Sequence, residues 1–201
     1  MEKRIITIGR ECGSGGHTIG KLVAERLGIA FYDKEIVELV AAKTKLSPEF
    51  IAAHGEYFQG GSLGHIIGYG GRFAGASMRS QSSLQDQMFI VQSDLIREIA
   101  EKEPCVIVGR CADYILQDRT DKLDVFIHSA MPFKIERSVR EHGLDPEKAE
   151  SILKKRDRAR KHHYNFYTHS NWGMAEHYSI TLDSGVLGVP KCVDLICTAA
   201  R

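Results

Sequence analysis

The stretch that decides the fold is Arg4-Ile5-Ile6-Thr7-Ile8-Gly9-Arg10-Glu11-Cys12-Gly13-Ser14-Gly15-Gly16-His17-Thr18-Ile19-Gly20, which continues to Leu27-Gly28. Residues 4–8 are a short β-branched run ending at a glycine, the pattern of a strand buried on both faces of a parallel sheet. Residues 9–16 are a glycine-rich loop. From Thr18 the apolar residues Ile19, Leu22, Val23 and Leu27 fall at a helical period, and Gly28 closes the helix. Strand, glycine loop and helix in that order aim backbone N–H groups and the positive end of a helix dipole at one point, which is how a phosphate is held.

The same alternation runs down the chain. Residues 29–32, 105–108, 123–128 and 178–182 read as further strands. Helical spacing follows from Asp33, from Leu84 to Glu101, after His128, from Pro146 to Lys161 and from Val189 to Ala200. Short apolar strands separated by helices predict a parallel α/β sheet of five strands. The chain has 201 residues, the length of one domain.

Glycine is unevenly placed. Of 19 glycines, six lie between Gly9 and Gly28 and eight between Gly55 and Gly75. The second cluster has neither a strand nor a helix period, and a long loop inside a compact domain is usually functional or disordered. Lys and Arg number 27 against 26 Asp and Glu, a formal charge of +1. That balance argues against a nucleic-acid-coating or membrane-surface role. The five cysteines show no CxxC spacing, and four of them sit in or beside apolar runs, as small buried hydrophobes do. The N-terminal apolar run is too short for a signal peptide and no run is long enough to span a membrane, so a cytoplasmic protein is expected.

Five groups of residues can carry chemistry. The loop Gly13, Ser14, Gly15, Gly16, His17 and Thr18 is the candidate phosphate site. It departs from the fingerprint G-x-x-x-x-G-K-[ST] in either register. With Gly15 as the last fixed glycine, Arg10 replaces the first glycine, Gly16 the lysine and His17 the Ser/Thr. With Gly16 in that place, Glu11 replaces the first glycine and His17 the lysine, while Thr18 fits as the hydroxyl that would hold a metal ion. Neither register supplies the lysine, and Arg10 could supply its charge. Arg110 follows the third strand on the same sheet edge and suits an anion. Arg156 and Arg160 are i, i+4 neighbours on a basic helix and could clamp a transferring phosphoryl group; a solvated basic face is the other reading of that run. Asp33 ends the second strand and could cap a helix, position a hydroxyl or hold magnesium through water. Arg72 and Arg79, in or after the second glycine cluster, could grip a second phosphate. The histidines match no standard zinc spacing.

These residues resemble the cytidylate kinase-like family. The resemblance rests on Thr7 to Gly20, Ala24-Glu25-Arg26-Leu27-Gly28, Phe31-Tyr32-Asp33-Lys34-Glu35, Val108-Gly109-Arg110, Arg156-Asp157-Arg158-Ala159-Arg160 and Tyr178 to Gly188, and it spans almost the whole chain. It implies a P-loop kinase three-layer sandwich, with helices on both faces of a five-stranded parallel sheet. A single domain 1–201 would carry an acceptor-binding insertion at 46–83 and a lid segment at 154–177. The loop Gly13–Thr18 would hold the phosphates of ATP, with Mg2+. Asp33 and Arg110 would lie by the monophosphate, with Arg72 and Arg79 in the insertion. Arg156 and Arg160 would close over the transferred group. The expected function is ATP-dependent phosphotransfer to a nucleoside monophosphate or similar small molecule, by a monomer or homodimer. Two alternatives stand: a nucleotide-binding protein without transfer activity, and a kinase for a non-nucleotide metabolite.

Overall fold

A computed structural model describes residues 4–49, 51 and 80–201. Most of the predicted insertion, with Arg72 and Arg79, lies outside these residues. Five parallel strands form one sheet: β1 (Ile5–Arg10), β2 (Ala30–Tyr32), β3 (Cys105–Val108), β4 (Lys122–His128) and β5 (Ile180–Asp183), in the order β2-β3-β1-β4-β5. β1 is central. Its Ile5, Ile6, Thr7 and Ile8 pair with Cys105 to Val108 on one side and with Lys122 to Val125 on the other.

Alternation along the strands makes two cores. Ile5, Cys105 and Ile107 face α2 (Lys34–Thr44) and α3 (Ser80–Lys102), where Ile36, Val40, Ile96 and Ile99 meet them. Ile6, Ile8, Val106 and Val108 face the opposite way, against Ile19 and Val23 of α1 (Gly16–Leu27) and Val193 and Ile196 of the closing helix. Most of these side chains are fully buried, and each Ile or Val so placed stabilises the fold by roughly 1.5–3 kcal/mol. The result is the predicted three-layer sandwich. Four cysteines, Cys105, Cys111, Cys192 and Cys197, are buried and unbridged.

The remaining helices are α4 (Ala112–Ile115), α5 (Met131–His142), α6 (Pro146–Thr168) and α7 (Ser184–Ala199). Three helix boundaries lie four or more residues from the sequence reading. α3 begins at Ser80, ahead of the apolar period. α6 continues past Lys161 to Thr168 because Ala159, His163 and Tyr164 keep a buried face. α7 begins at Ser184, where Asp183 accepts from Gly185 N–H at 2.9 Å as a cap, and it kinks at Gly188 before Pro190. Among the described residues no helix is long and apolar enough to cross a membrane.

Candidate active site

The carboxyl ends of β1, β2, β3 and β4 deliver their following residues to one edge of the sheet, where open α/β sheets bind ligands. From β1 the chain passes through Glu11–Gly15 and enters α1 at Gly16. Gly13 and Gly15 have φ of 82° and 83°, the left-handed region that glycine occupies without strain. Space also requires them. A Cβ on Gly13 would lie 2.8 Å from Ser138 Oγ, and one on Gly15 would lie 2.8 Å from the Arg137 guanidinium carbon.

The loop is held from behind. Ser14 Oγ donates to the carbonyls of Glu11 at 2.8 Å and Ile127 at 3.1 Å. Ser184 Oγ donates to Ser14 O at 2.6 Å, which ties the loop to the start of α7. Glu11 Oε2 accepts from Ser129 N–H at 3.2 Å and from Lys134 Nζ at 3.0 Å. Ser14 is fully buried, so of the predicted phosphate residues it braces the loop with its side chain and does not line the cleft.

In the register that ends on Gly15, Gly16 stands in the lysine's position, and its surroundings leave no room for a side chain. A Cβ there would lie 2.4 Å from Arg10 Cβ and 2.9 Å from Arg10 Cγ. Arg10 therefore occupies the space through which a side chain at residue 16 would emerge. Arg10 is buried, with Nη2 3.7 Å from Asp33 Oδ1. Asp33 Oδ2 meets His17 Nδ1 at 2.7 Å. Thr18 Oγ1 accepts from Arg137 Nη2 at 3.0 Å.

These groups line an open cleft of about 450 Å³. It collects Arg10, Gly13, Gly15 to Thr18, Asp33, Arg156 and Arg160 among the predicted residues, and adds Arg137. Arg156 is exposed, with Nη1 4.0 Å from Cys12 Sγ, while Arg160 is buried and donates through Nη1 to Arg10 O at 3.2 Å. Arg110 lies apart, in a second, smaller cavity of about 20 Å³ that Arg10 and Arg160 also line. Its Nε and Nη1 are buried without hydrogen-bond partners, and no ion pair to it is found among the described residues. Thus Arg10 and Arg160 stand between the two cavities.

Sequence reasoning missed Glu11, Lys134, Arg137 and Asp157. Lys134 and Arg137 are 4% and 5% exposed although both are charged residues of a helix. Asp157 accepts from Cys12 N–H at 2.6 Å and from Lys134 Nζ at 3.2 Å. Burial pulls the Lys134 ammonium down, but the carboxylates of Asp157 and Glu11 outweigh it and hold its pKa above the ordinary value. Burial raises the Asp157 carboxyl, and the bonds from Cys12 and Lys134 offset only part of that. The signal that could have revealed Lys134 and Arg137 was their i, i+3 spacing just after the fourth strand, on the ligand edge.

The five-stranded parallel sheet with a glycine loop after its first strand is the fold of P-loop kinases. Solved structures of similar fold include a shikimate kinase from Bacteroides thetaiotaomicron (15% identity, TM-score 0.55, 97% of each chain covered). A second is a shikimate kinase from Acinetobacter baumannii in complex with shikimate (15% identity, TM-score 0.51, 97% of this chain and 90% of that one). An uncharacterized protein from Eubacterium ventriosum shares 31% identity and a TM-score of 0.72 over 98% of this chain and 97% of its own. No curated protein matches the sequence. The model of the cytidylate kinase-like family matches residues 5–186, and the chain belongs to that family. Membership supports a phosphotransferase and leaves the acceptor undetermined.

Proposed function

We propose that the chain is an ATP-dependent phosphotransferase acting on a small anionic acceptor, with a nucleoside monophosphate as the first candidate. The observation that carries this reading is the position of Arg10 and Arg160, which line both the phosphate-loop cleft and the cavity of Arg110. Phosphoryl transfer needs a donor and an acceptor in line, with positive charge on the group that passes between them. The loop would hold the ATP phosphates, Arg110 would draw the acceptor anion, and Arg10 and Arg160 would stabilise the charge that develops between.

Mg2+ would accompany ATP. Magnesium commonly keeps water and takes only one or two protein oxygens. Thr18 Oγ1 is one candidate, but it is already an acceptor of Arg137, so metal and guanidinium would share or contest it. The Asp33 carboxylate faces the same cleft and could act through water.

The test is a labelled-ATP assay over a panel of nucleoside monophosphates, with other phosphorylated and hydroxylated metabolites beside them. Shikimate belongs in that panel, because the solved neighbours of this fold include shikimate kinases. Transfer to a monophosphate is the expected result. Saturable ATP binding with no labelled product would favour a nucleotide-binding protein instead. Transfer confined to another acceptor would favour a metabolite kinase.

Arg156 and Arg160 of α6 should separate in this assay. Arg156 is exposed, so Arg156→Ala should lower kcat by about 10²-fold with an unchanged melting temperature. Arg160 is buried against the backbone of Arg10, so Arg160→Ala should lower both kcat and melting temperature. Unchanged turnover in both variants would remove α6 from the proposed lid.

A further inference from the structure

Helix α6 reaches the phosphate loop through a carboxylate. Asp157 Oδ1 accepts from Cys12 N–H at 2.6 Å, and its Oδ2 accepts from Lys134 Nζ at 3.2 Å. Arg160 Nη1 lies 3.8 Å from Oδ1. A loop amide, an ammonium and a guanidinium around one pair of anionic oxygens are the donors a phosphoryl group recruits. The contact is largely out of water, since the side chains of Lys134 and Asp157 are 5% and 16% exposed.

The two hydrogen-bond partners of Asp157 depend on it unequally. Lys134 has a second carboxylate, Glu11, at 3.0 Å and stays paired without Asp157. No other acceptor for Cys12 N–H is found among the described residues. So departure of Asp157 would release a backbone donor at the phosphate loop while leaving the lysine compensated.

We infer that Asp157 is a built-in competitor for the phosphate loop: without nucleotide its carboxylate occupies the Cys12 amide, and a polyphosphate must displace it to engage that donor. The inference rests on the reading of the loop as a phosphate cradle and adds a regulation of that site. A site that is partly self-occupied binds its ligand more weakly, in proportion to the fraction left open. Displacement would also couple nucleotide arrival to α6, because Asp157 lies on the same helix as Arg156 and Arg160. The arginines would be freed to move only when a polyanion has taken the carboxylate's place.

The experiment is calorimetric titration of inorganic tripolyphosphate into the wild-type chain, Asp157→Ala and Asp157→Asn at fixed ionic strength. Both variants remove one negative charge, so bulk electrostatics alone predicts the same gain from each. The asparagine carbonyl can still accept from Cys12 N–H, whereas alanine cannot. Competition therefore predicts about tenfold tighter binding for Asp157→Ala and a clearly smaller gain for Asp157→Asn. A readout on the wild type needs no variant to fold: tripolyphosphate should move the Asp157 side-chain carboxyl carbon resonance towards that of a solvated carboxylate. Equal gains, weaker binding by Asp157→Ala, or an unmoved carboxyl resonance would overturn the inference and leave the phosphate-loop reading intact. Absence of binding by all three proteins would overturn that reading and the inference with it.

Discussion

Changing Arg10 to glycine and Gly16 to lysine together should retain phosphotransfer that each change alone impairs. The expectation comes from one distance. A Cβ at residue 16 would lie 2.4 Å from Arg10 Cβ, so only one of these two positions can carry a side chain. The usual fingerprint places glycine first and lysine after the last glycine. Here the arginine comes first and glycine follows, so the two departures are one reciprocal exchange. Gly16→Lys alone would force Arg10 off its place and strain the loop, destabilising the fold by about 1–3 kcal/mol or more. Arg10→Gly alone would remove a preorganised cation from the cleft, with an expected fall in kcat of about 10²–10³-fold. The double variant restores the fingerprint's order, glycine first and lysine directly after Gly15, without the clash. Steady-state rates and melting temperatures of all four proteins would form a double-mutant cycle with a large favourable coupling. A double variant no more active than Arg10→Gly would show that Arg10 is a spacer and not the lysine's substitute.

The parts of this site that the sequence revealed are those with a local signature. A β-branched run, a glycine loop and a 3.6 period are each written within a few residues, so β1, the loop and α1 could be read directly. The braces of the loop have no such signature. Ser14 to Ile127 spans 113 residues, Lys134 to Glu11 spans 123, and Ser184 to Ser14 spans 170. Lys134 and Arg137 sit on a helix whose charged residues carry no local signature, and its packing against the loop buries them. Arg156 and Arg160 were legible as neighbours on one face, but their unequal burial depends on where α6 meets the end of β1. Asp157 stood in view between the arginines. A motif read for positive charge does not show that its one carboxylate lies on the loop. Arg72 and Arg79 remain proposals, outside the described residues.

Arg110 should give opposite signs for stability and for function. Arg110 is 5% exposed, and its Nε and Nη1 have no hydrogen-bond partner among the described residues. A buried polar donor left unmade costs about 1–3 kcal/mol, more when charged. The backbone does not depend on the side chain, since Gln92 Nε2 donates to Arg110 O at 3.3 Å. Arg110→Met should therefore raise the melting temperature, by roughly 2–4 °C for each kcal/mol relieved in a chain of this size. The same change should remove the charge proposed to draw the acceptor. A charge-assisted hydrogen bond is worth about 1.5–3 kcal/mol, so loss of a two-pronged contact should lower kcat/KM for the acceptor at least about 100-fold. ATP affinity should not move, because Arg110 does not line the phosphate-loop cleft. Inorganic phosphate gives an independent check: it should raise the melting temperature of the wild type more than that of the variant. A variant that melts lower and keeps its kcat/KM would make Arg110 a structural residue and move the acceptor's anion elsewhere. A variant that melts higher and loses the acceptor would mark the stability this fold gives up to hold an anion beside the phosphate loop.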